Sequence, residues 1–347
     1  MSSEDAMSKF EDLQDQSQEL FSAADLNEIP EEMNETTESV VGLPAQLKAI
    51  RSQGYVFAAY LEQKVDVLTK GWSDVRQQIG QAIEGEVQRL RGEKEQVERL
   101  FENARRQGGN PKAVAQLLPQ LEREVEDLES KIEEAKERLS EVFSELAEAV
   151  AQTVEQIQDI GTYLQDRDEA SFKFASGENL FLAAHAEWVE TGKGRQDPDG
   201  VLYLTDQRLI FEQKEKTGKT LGLFGGKMTQ ELEWEIPLKQ IEKVEAENKG
   251  LFGGKDMLHF TLASGARFPK ITVEVKGKAR CKFWAAQVER IARGETNDER
   301  AIPADQETVA AIRDAPSECH VCGAKMPQAT AGQKQVECRY CGSVVQL

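Results

Sequence analysis

From about Pro44 to Leu164 the apolar positions recur with a helical period. Leu121, Val125, Leu128, Ile132, Ala135, Leu139, Val142, Leu146 and Ala149 alternate steps of four and three, with Glu, Lys and Arg between them. A heptad seam of this kind predicts coiled-coil packing. Leu61, Val65, Leu68, Trp72, Val75 and Ile79 follow the same alternation, then two steps of four run through Ile83 to Val87 before Leu90, Val97 and Phe101. An extra-long step of that kind locally unwinds a supercoil. Gln107-Gly108-Gly109-Asn110-Pro111 reads as a helix stop and restart, and Pro119 as a second break or the first turn of the final helix. The expectation is an antiparallel helical hairpin, each run of about 60 residues reaching ~90 Å. Two helices alone bury little, so homo-oligomerisation through the coiled coil, or a partner helix, is expected to cover the rest.

Near residue 171 the period shortens. Strand-like runs cover 179–189, 201–204, 209–213, 232–236, 241–246, 257–262 and 267–275, separated by turn residues such as Ser264-Gly265. An amphipathic helix follows from Lys278 to Arg293, with Phe283, Trp284, Val288 and Ile291 able to share a face. Six or seven short antiparallel strands closed by one helix predict a small β-barrel plugged at one end.

The run Gly200-Val201-Leu202-Tyr203-Leu204-Thr205-Asp206-Gln207-Arg208-Leu209-Ile210-Phe211 resembles the G-x-LY-x-T-x-x-R-x-x-F hairpin of GRAM domains, in the pleckstrin-homology-like superfamily. Ile236-Pro237-Leu238-Lys239-Gln240-Ile241 is similar to that family's link into its second sheet, and the Trp284 helix to its capping helix. The resemblance covers residues 175–294, about a third of the chain. It implies a PH-like barrel that binds membrane lipid or a protein segment and is not an enzyme; fold alone does not settle function.

Charge sharpens these divisions. The 347 residues carry 43 Lys and Arg against 62 Asp and Glu, a net charge of −19. Residues 1–40 hold twelve of the acids and one base, Lys9, and read as a largely disordered acidic tail with room for a short amphipathic helix around Phe10, Leu13, Leu20 and Phe21. Residues 171–294, by contrast, sum to +3. The overall charge argues against nucleic acid as a partner, because phosphate is bound through clustered Lys and Arg. No stretch approaches the ~20 apolar residues of a membrane span, and the N-terminus lacks a signal-peptide pattern, so a cytoplasmic protein, peripheral to membranes at most, is expected.

The clearest chemical motif is C-terminal. Cys319-x-x-Cys322 and Cys338-x-x-Cys341, with fifteen residues between the pairs, match zinc-site spacing. Four thiolates complete a tetrahedron with no open position, so Zn is expected as a structural ion in a zinc ribbon. Some 30 residues cannot build an adequate core without it. Disulfides or redox CxxC pairs are the competing reading, disfavoured by the lack of a signal peptide and of a thioredoxin-like context. Cys281 reads as core.

A second signal is repetition. Leu223-Phe224-Gly225-Gly226-Lys227 and Leu251-Phe252-Gly253-Gly254-Lys255 are identical and sit in expected barrel loops near Lys214, Lys216, Lys219 and Lys249. Apolar tips flanked by lysines fit an interfacial anchor on an anionic membrane. The plainer alternative folds Leu and Phe back onto the barrel mouth. His185, His259 and His320 do not converge, and no nucleophile motif occurs.

The fold class expected is therefore multidomain α + β: an acidic tail (1–40), a coiled-coil helical hairpin (41–170), a GRAM/PH-like barrel (171–294), a linker (295–316) and a four-cysteine zinc ribbon (317–347). The function expected is a non-enzymatic scaffold docking on an anionic membrane lipid or a protein partner. Its lipid- or partner-binding residues would be Lys214, Lys216, Lys219, Leu223, Phe224, Lys227, Lys249, Leu251, Phe252 and Lys255. A zinc-ribbon component of a nucleic-acid-associated complex is the alternative.

Overall fold

A computed structural model describes residues 3–191, 197–217, 227–249, 254–278, 280–302, 326, 335–337 and 343–346. The chain forms two compact units, one of residues 1–45 with 63–155 and the other of residues 46–62 with 156–347.

The first unit is helical. It is built from α1 (Ser3–Ala23), most of α2 (Glu28–Ser52), and parts of α3 (Tyr60–Arg106) and α4 (Pro111–Asp168). The stop at 107–110 falls where the glycines place it, and the Asn110 side chain accepts the Ala113 N–H at 3.4 Å as an N-cap. Pro119 lies inside α4 and starts no new helix. Helices α3 and α4 run antiparallel: Gln96 bonds Glu124 at 2.7 Å, Lys131 pairs with Glu93 at 2.9 Å, and Trp72 packs edge-on against Phe143.

Two expectations change here. The acidic segment does not stand as a disordered tail. Helix α1 buries Ala6, Phe10, Leu13 and Ser17, and α2 buries Ile29, Met33, Val40 and Leu43. Lys9 pairs with Glu122, Gln16 reaches Glu129 and Lys136 pairs with Glu28, so α1 and α2 follow one another alongside α4. Phe10 meets Phe101 at 5.7 Å, and Trp72 Nε1 donates to Thr37 Oγ1 at 3.1 Å. A third helical column thus covers the hairpin from within the chain. The carboxylates sit on its outer face, where solvation and lysine partners offset their repulsion.

The seam of α4 also shifts. Leu121 to Leu139 are buried as the heptads require, but Val142 is 45% exposed while Phe143 is buried, as is Val150. An α-helix has 3.6 residues per turn, so a strict 3.5 repeat drifts across its face, and a second step of four restores the contact.

The second unit holds seven antiparallel strands, β1 (Leu180–Trp188), β2 (Asp199–Thr205), β3 (Arg208–Thr217), β4 (Lys227–Pro237), β5 (Ile241–Lys249), β6 (Lys255–Leu262) and β7 (Lys270–Val275), then α5 (Cys281–Ala292). They form one sheet in the order β4-β3-β2-β1-β7-β6-β5, with α5 against β5 and β6. This is the arrangement implied by the PH-like resemblance. Cys281, Trp284, Val288 and Ile291 are buried on α5 as expected, whereas Phe283, expected on the same face, is 50% exposed because it stands one residue before Trp284 and is turned away by about 100°. The C-terminal ends of α2 and α4 belong to this unit as well. Arg51 organises the α2–α3 connection, donating to the carbonyls of Tyr55 (2.8 Å), Phe57 (2.6 Å) and Ala58 (3.0 Å) and pairing with Glu62. A short hairpin, β8 (Gln335–Glu337) with β9 (Val344–Gln346), lies near the C-terminus.

Candidate functional site

The GRAM-like hairpin residues form a buried polar frame. Gly200 faces Gln213 across β2–β3, where an added Cβ would come within 1.9 Å of the Glu212 carbonyl oxygen, so only glycine fits. The Tyr203 hydroxyl sits 3.1 Å from the Asp166 carbonyl and 3.2 Å from the carboxylate of fully buried Glu212, whose other oxygen accepts the Ser171 N–H at 2.6 Å. Arg208 holds Glu178 through two bonds of 2.8 Å, and the Thr205 hydroxyl donates to the same carboxylate. These motif residues build the frame of the sheet.

Because every neighbouring pair is antiparallel, strand direction alternates along the sheet. The β1–β2, β3–β4 and β6–β7 turns therefore share one rim, and the β2–β3 and β5–β6 turns share the other. The two LFGGK segments fall between β3 and β4 and between β5 and β6 in sequence, and the strand ends that flank them lie at opposite rims of the sheet. Below the first rim, Trp188 contacts Phe211, Trp234 and Phe268 with ring centroids 5.7–6.4 Å apart. Arg267 lies 4.9 Å over the Phe268 ring and donates to the Glu233 carbonyl.

The expected docking residues divide accordingly. Lys214, only 16% exposed, pairs with Glu169 at 2.6 Å and is a packing contact. Lys249 pairs with Glu247 and Lys255 with Glu274, both at the surface of the second rim, where such pairs hold a lysine weakly. Lys216 and Lys227 end β3 and β4 on the first rim, opposite Met228 and Thr217, and their side chains lie outside the described residues. Lys219, Leu223, Phe224, Leu251 and Phe252 also lie outside the described residues, as do Cys319, Cys322, Cys338 and Cys341. Among the described residues no His, Cys, Asp and Glu cluster could hold a metal ion, and no helix is long and apolar enough to cross a membrane. Arg267 and Lys270 lie at the β6–β7 turn of the first rim, while Lys193 and Arg195 fall between β1 and β2 in sequence and lie outside the described residues; none of the four was singled out from sequence.

The second unit also holds a cleft of about 690 Å³. Its walls are the α2–α3 connection, the C-terminal end of α4, the outer side of β1 and the β7–α5 link, contributing Tyr55, Tyr60, Tyr163, Phe181, Phe283 and Trp284. The Tyr55 hydroxyl donates to the Phe181 carbonyl at 3.3 Å, and Gln156 bonds Tyr60. Burial, with Asp159 nearby, pushes the Tyr163 phenol up to about 12. Asp159 and Asp166 enter the cleft from α4, and Lys276, Lys278 and Arg280 from the β7–α5 link. Nothing in the sequence patterns marked this place, since its residues come from four separate segments.

No family model matches the sequence, and no curated protein matches it. Similar solved structures include the Vps36 N-terminal PH domain, at 15% identity over 35% of this chain and 85% of that one, with a TM-score of 0.26. A pleckstrin homology domain from Shewanella amazonensis is 21% identical over 35% of this chain and 89% of that one, with a TM-score of 0.23. The DH/PH domains of PDZ-RhoGEF, solved in complex with activated RhoA, are 13% identical over 79% of this chain and 94% of that one, with a TM-score of 0.26. At such TM-scores these likenesses add nothing to what the strand order and the C-terminal helix already show: residues 180–292 have a PH-like fold.

Proposed function

We propose that the chain is a non-enzymatic docking adaptor whose PH-like unit meets an anionic membrane surface through the first rim of its sheet. The observation that carries this reading is the convergence of three turns. The strand ends of that rim are described, and the sequence at and between them carries Lys193, Arg195, Lys216, Lys219, Lys227, Arg267 and Lys270 against the carboxylates Glu190 and Asp197. Each cation near an anionic leaflet contributes about 1 kcal/mol, and the Leu223-Phe224 pair supplies an apolar tip. Leu251 and Phe252, between β5 and β6 in sequence, take no part in this reading. The helical unit serves as the scaffold.

The C-terminal segment is a second interaction module, held by Zn on Cys319, Cys322, Cys338 and Cys341. Cys338 directly follows β8 in sequence, and Cys341 falls between it and β9, a spacing that fits a metal knuckle between two strands. Zn there would tie the two cysteine pairs into one closed structural site.

Co-sedimentation with vesicles of phosphatidylcholine and phosphatidylserine tests the docking surface. Leu223→Ser with Phe224→Ser should release the chain, as should neutralising Lys216, Lys219 and Lys227, while Leu251→Ser with Phe252→Ser should leave binding intact. Binding that survives the first-rim changes, or that is lost with the second-rim pair alone, overturns the assignment.

A further inference from the structure

The cleft of the second unit contains a carboxylate without a partner. Asp166 is 8% exposed, lines the cleft, and its carboxylate accepts no hydrogen bond from any described residue. Burial pushes its pKa up, and only the charges of His185 and Lys214 oppose that. A partly desolvated carboxylate at a cleft wall is better satisfied when a cation or donor from a ligand meets it. Asp159 lies two helical turns earlier on α4 and Tyr163 between them, so all three share a face of the helix. Tyr60, 48% exposed, and Phe181 continue the aromatic wall. Carboxylates set among aromatic faces are the environment that holds an ammonium group through charge and cation–π attraction.

The β7–α5 link brings the other sign to the same cleft. Lys276 is already engaged by Glu187 and Asp199, and Arg290 by Glu299. Arg280, at the start of α5, is exposed, and its guanidinium makes no hydrogen bond or ion pair among the described residues, though its charge helps lower the Asp256 carboxyl. Phe181, Ala183, Ile160 and Trp284 add apolar lining, and the volume falls within the usual range for a small-molecule site.

We propose that this cleft binds a zwitterionic amphiphile: an ammonium group against Asp166 and the tyrosines, a phosphate facing Arg280, and an acyl chain along the apolar lining. The fit rests on separated charge, since a purely anionic ligand leaves Asp166 unanswered and a purely cationic one leaves Arg280 so. None of the first-rim turn residues lines the cleft, so this site stands independently of vesicle docking.

The test uses monomeric probes on the full chain, read by calorimetry and by the fluorescence of Trp284 above the other tryptophans. Dodecylphosphocholine, kept below its micellar concentration, should bind saturably with one site per chain. Phosphocholine without the chain, and dodecyl phosphate without the ammonium, should each bind at least ~10-fold more weakly, because each omits one of the matched groups. Asp166→Asn should weaken dodecylphosphocholine ~10-fold or more and leave dodecyl phosphate unchanged; Arg280→Ala should weaken both. Tyr60→Ala, at an exposed position, should weaken only the ammonium probe and decides the matter if the Asp166 variant fails to fold. Equal binding of dodecyl phosphate and dodecylphosphocholine overturns the ammonium site, and equal binding of phosphocholine and dodecylphosphocholine overturns the acyl site. Absence of saturable binding overturns the proposal altogether.

Discussion

Replacing Arg208 by Met removes a guanidinium and keeps most of the apolar stem. The Glu178 side chain is fully buried, and its carboxylate would lose both 2.8 Å bonds to Arg208. It would keep the Thr205 hydroxyl and the Ala175 N–H, each at 2.8 Å, which carry no formal charge. Removing one partner of a buried pair costs about 3–5 kcal/mol, because the remaining charge stays desolvated. The contact of Arg208 with Glu235, which is 47% exposed, adds little. With a urea m-value near the upper end of the usual ~1–3 kcal/mol/M, the midpoint for the second unit should fall by about 1–2 M. Tryptophan fluorescence in a Trp72→Phe background reads this, since Trp188, Trp234 and Trp284 all belong to that unit. Arg208→Met combined with Glu178→Gln should cost clearly less than the sum of the two single changes. A loss below about 1 kcal/mol for Arg208→Met, or strict additivity in the double variant, would refute the argument.

Four further outcomes follow from the same structure. Gly200→Ala should disrupt β2–β3 and cost more than the ~1 kcal/mol typical of a point change, because the clash is with backbone that no rotamer relieves; thermal melts read it. Phe143→Ala should cost about 3–5 kcal/mol while Val142→Ser stays within ~0.5, and denaturation followed by helical circular dichroism separates the two. Burial raises the phenol pKa of Tyr55, Tyr163 and Tyr203, so the folded state holds these protons more tightly than the unfolded chain. Their contribution to stability is complete below pH 10 and is lost as pH rises, through about 12 for Tyr163; absorbance at 295 nm should show their late ionisation, with urea midpoints falling over the same range. The purified chain should carry one zinc ion, lost with Cys319→Ser or strong chelation, and the melting of the helical and PH-like units should be unmoved.

Much of this molecule was legible along the chain, and the exceptions share a cause. The heptads of α3 and α4, the stop at Gly108-Gly109 and the strand runs from 179 to 275 rest on local periodicity, which sequence displays directly. Helix α1 was obscured because its seam uses Ala6 and Ser17 beside Phe10 and Leu13, and Thr37 stands on the seam of α2. Small and hydroxyl side chains pass as polar filler until a neighbouring helix makes their size the useful property, and the dense carboxylates read as disorder. At Val142 the pattern continued a strict heptad, whereas real helix geometry had already turned that residue outward.

Function divides the same way. Sequence by itself determined the residues available: four spaced cysteines, a basic block within an acidic chain, and two identical Leu-Phe-Gly-Gly-Lys segments. Tertiary structure decided which of them can act together. Antiparallel alternation set the β3 and β4 ends that flank one twin segment, and the β5 and β6 ends that flank the other, at opposite rims. Lys214 became a partner for Glu169, and Tyr203, Thr205 and Arg208 became framework. The cleft around Asp166 had no linear trace, because the α2–α3 connection, α4, β1 and the β7–α5 link meet only after the chain has folded.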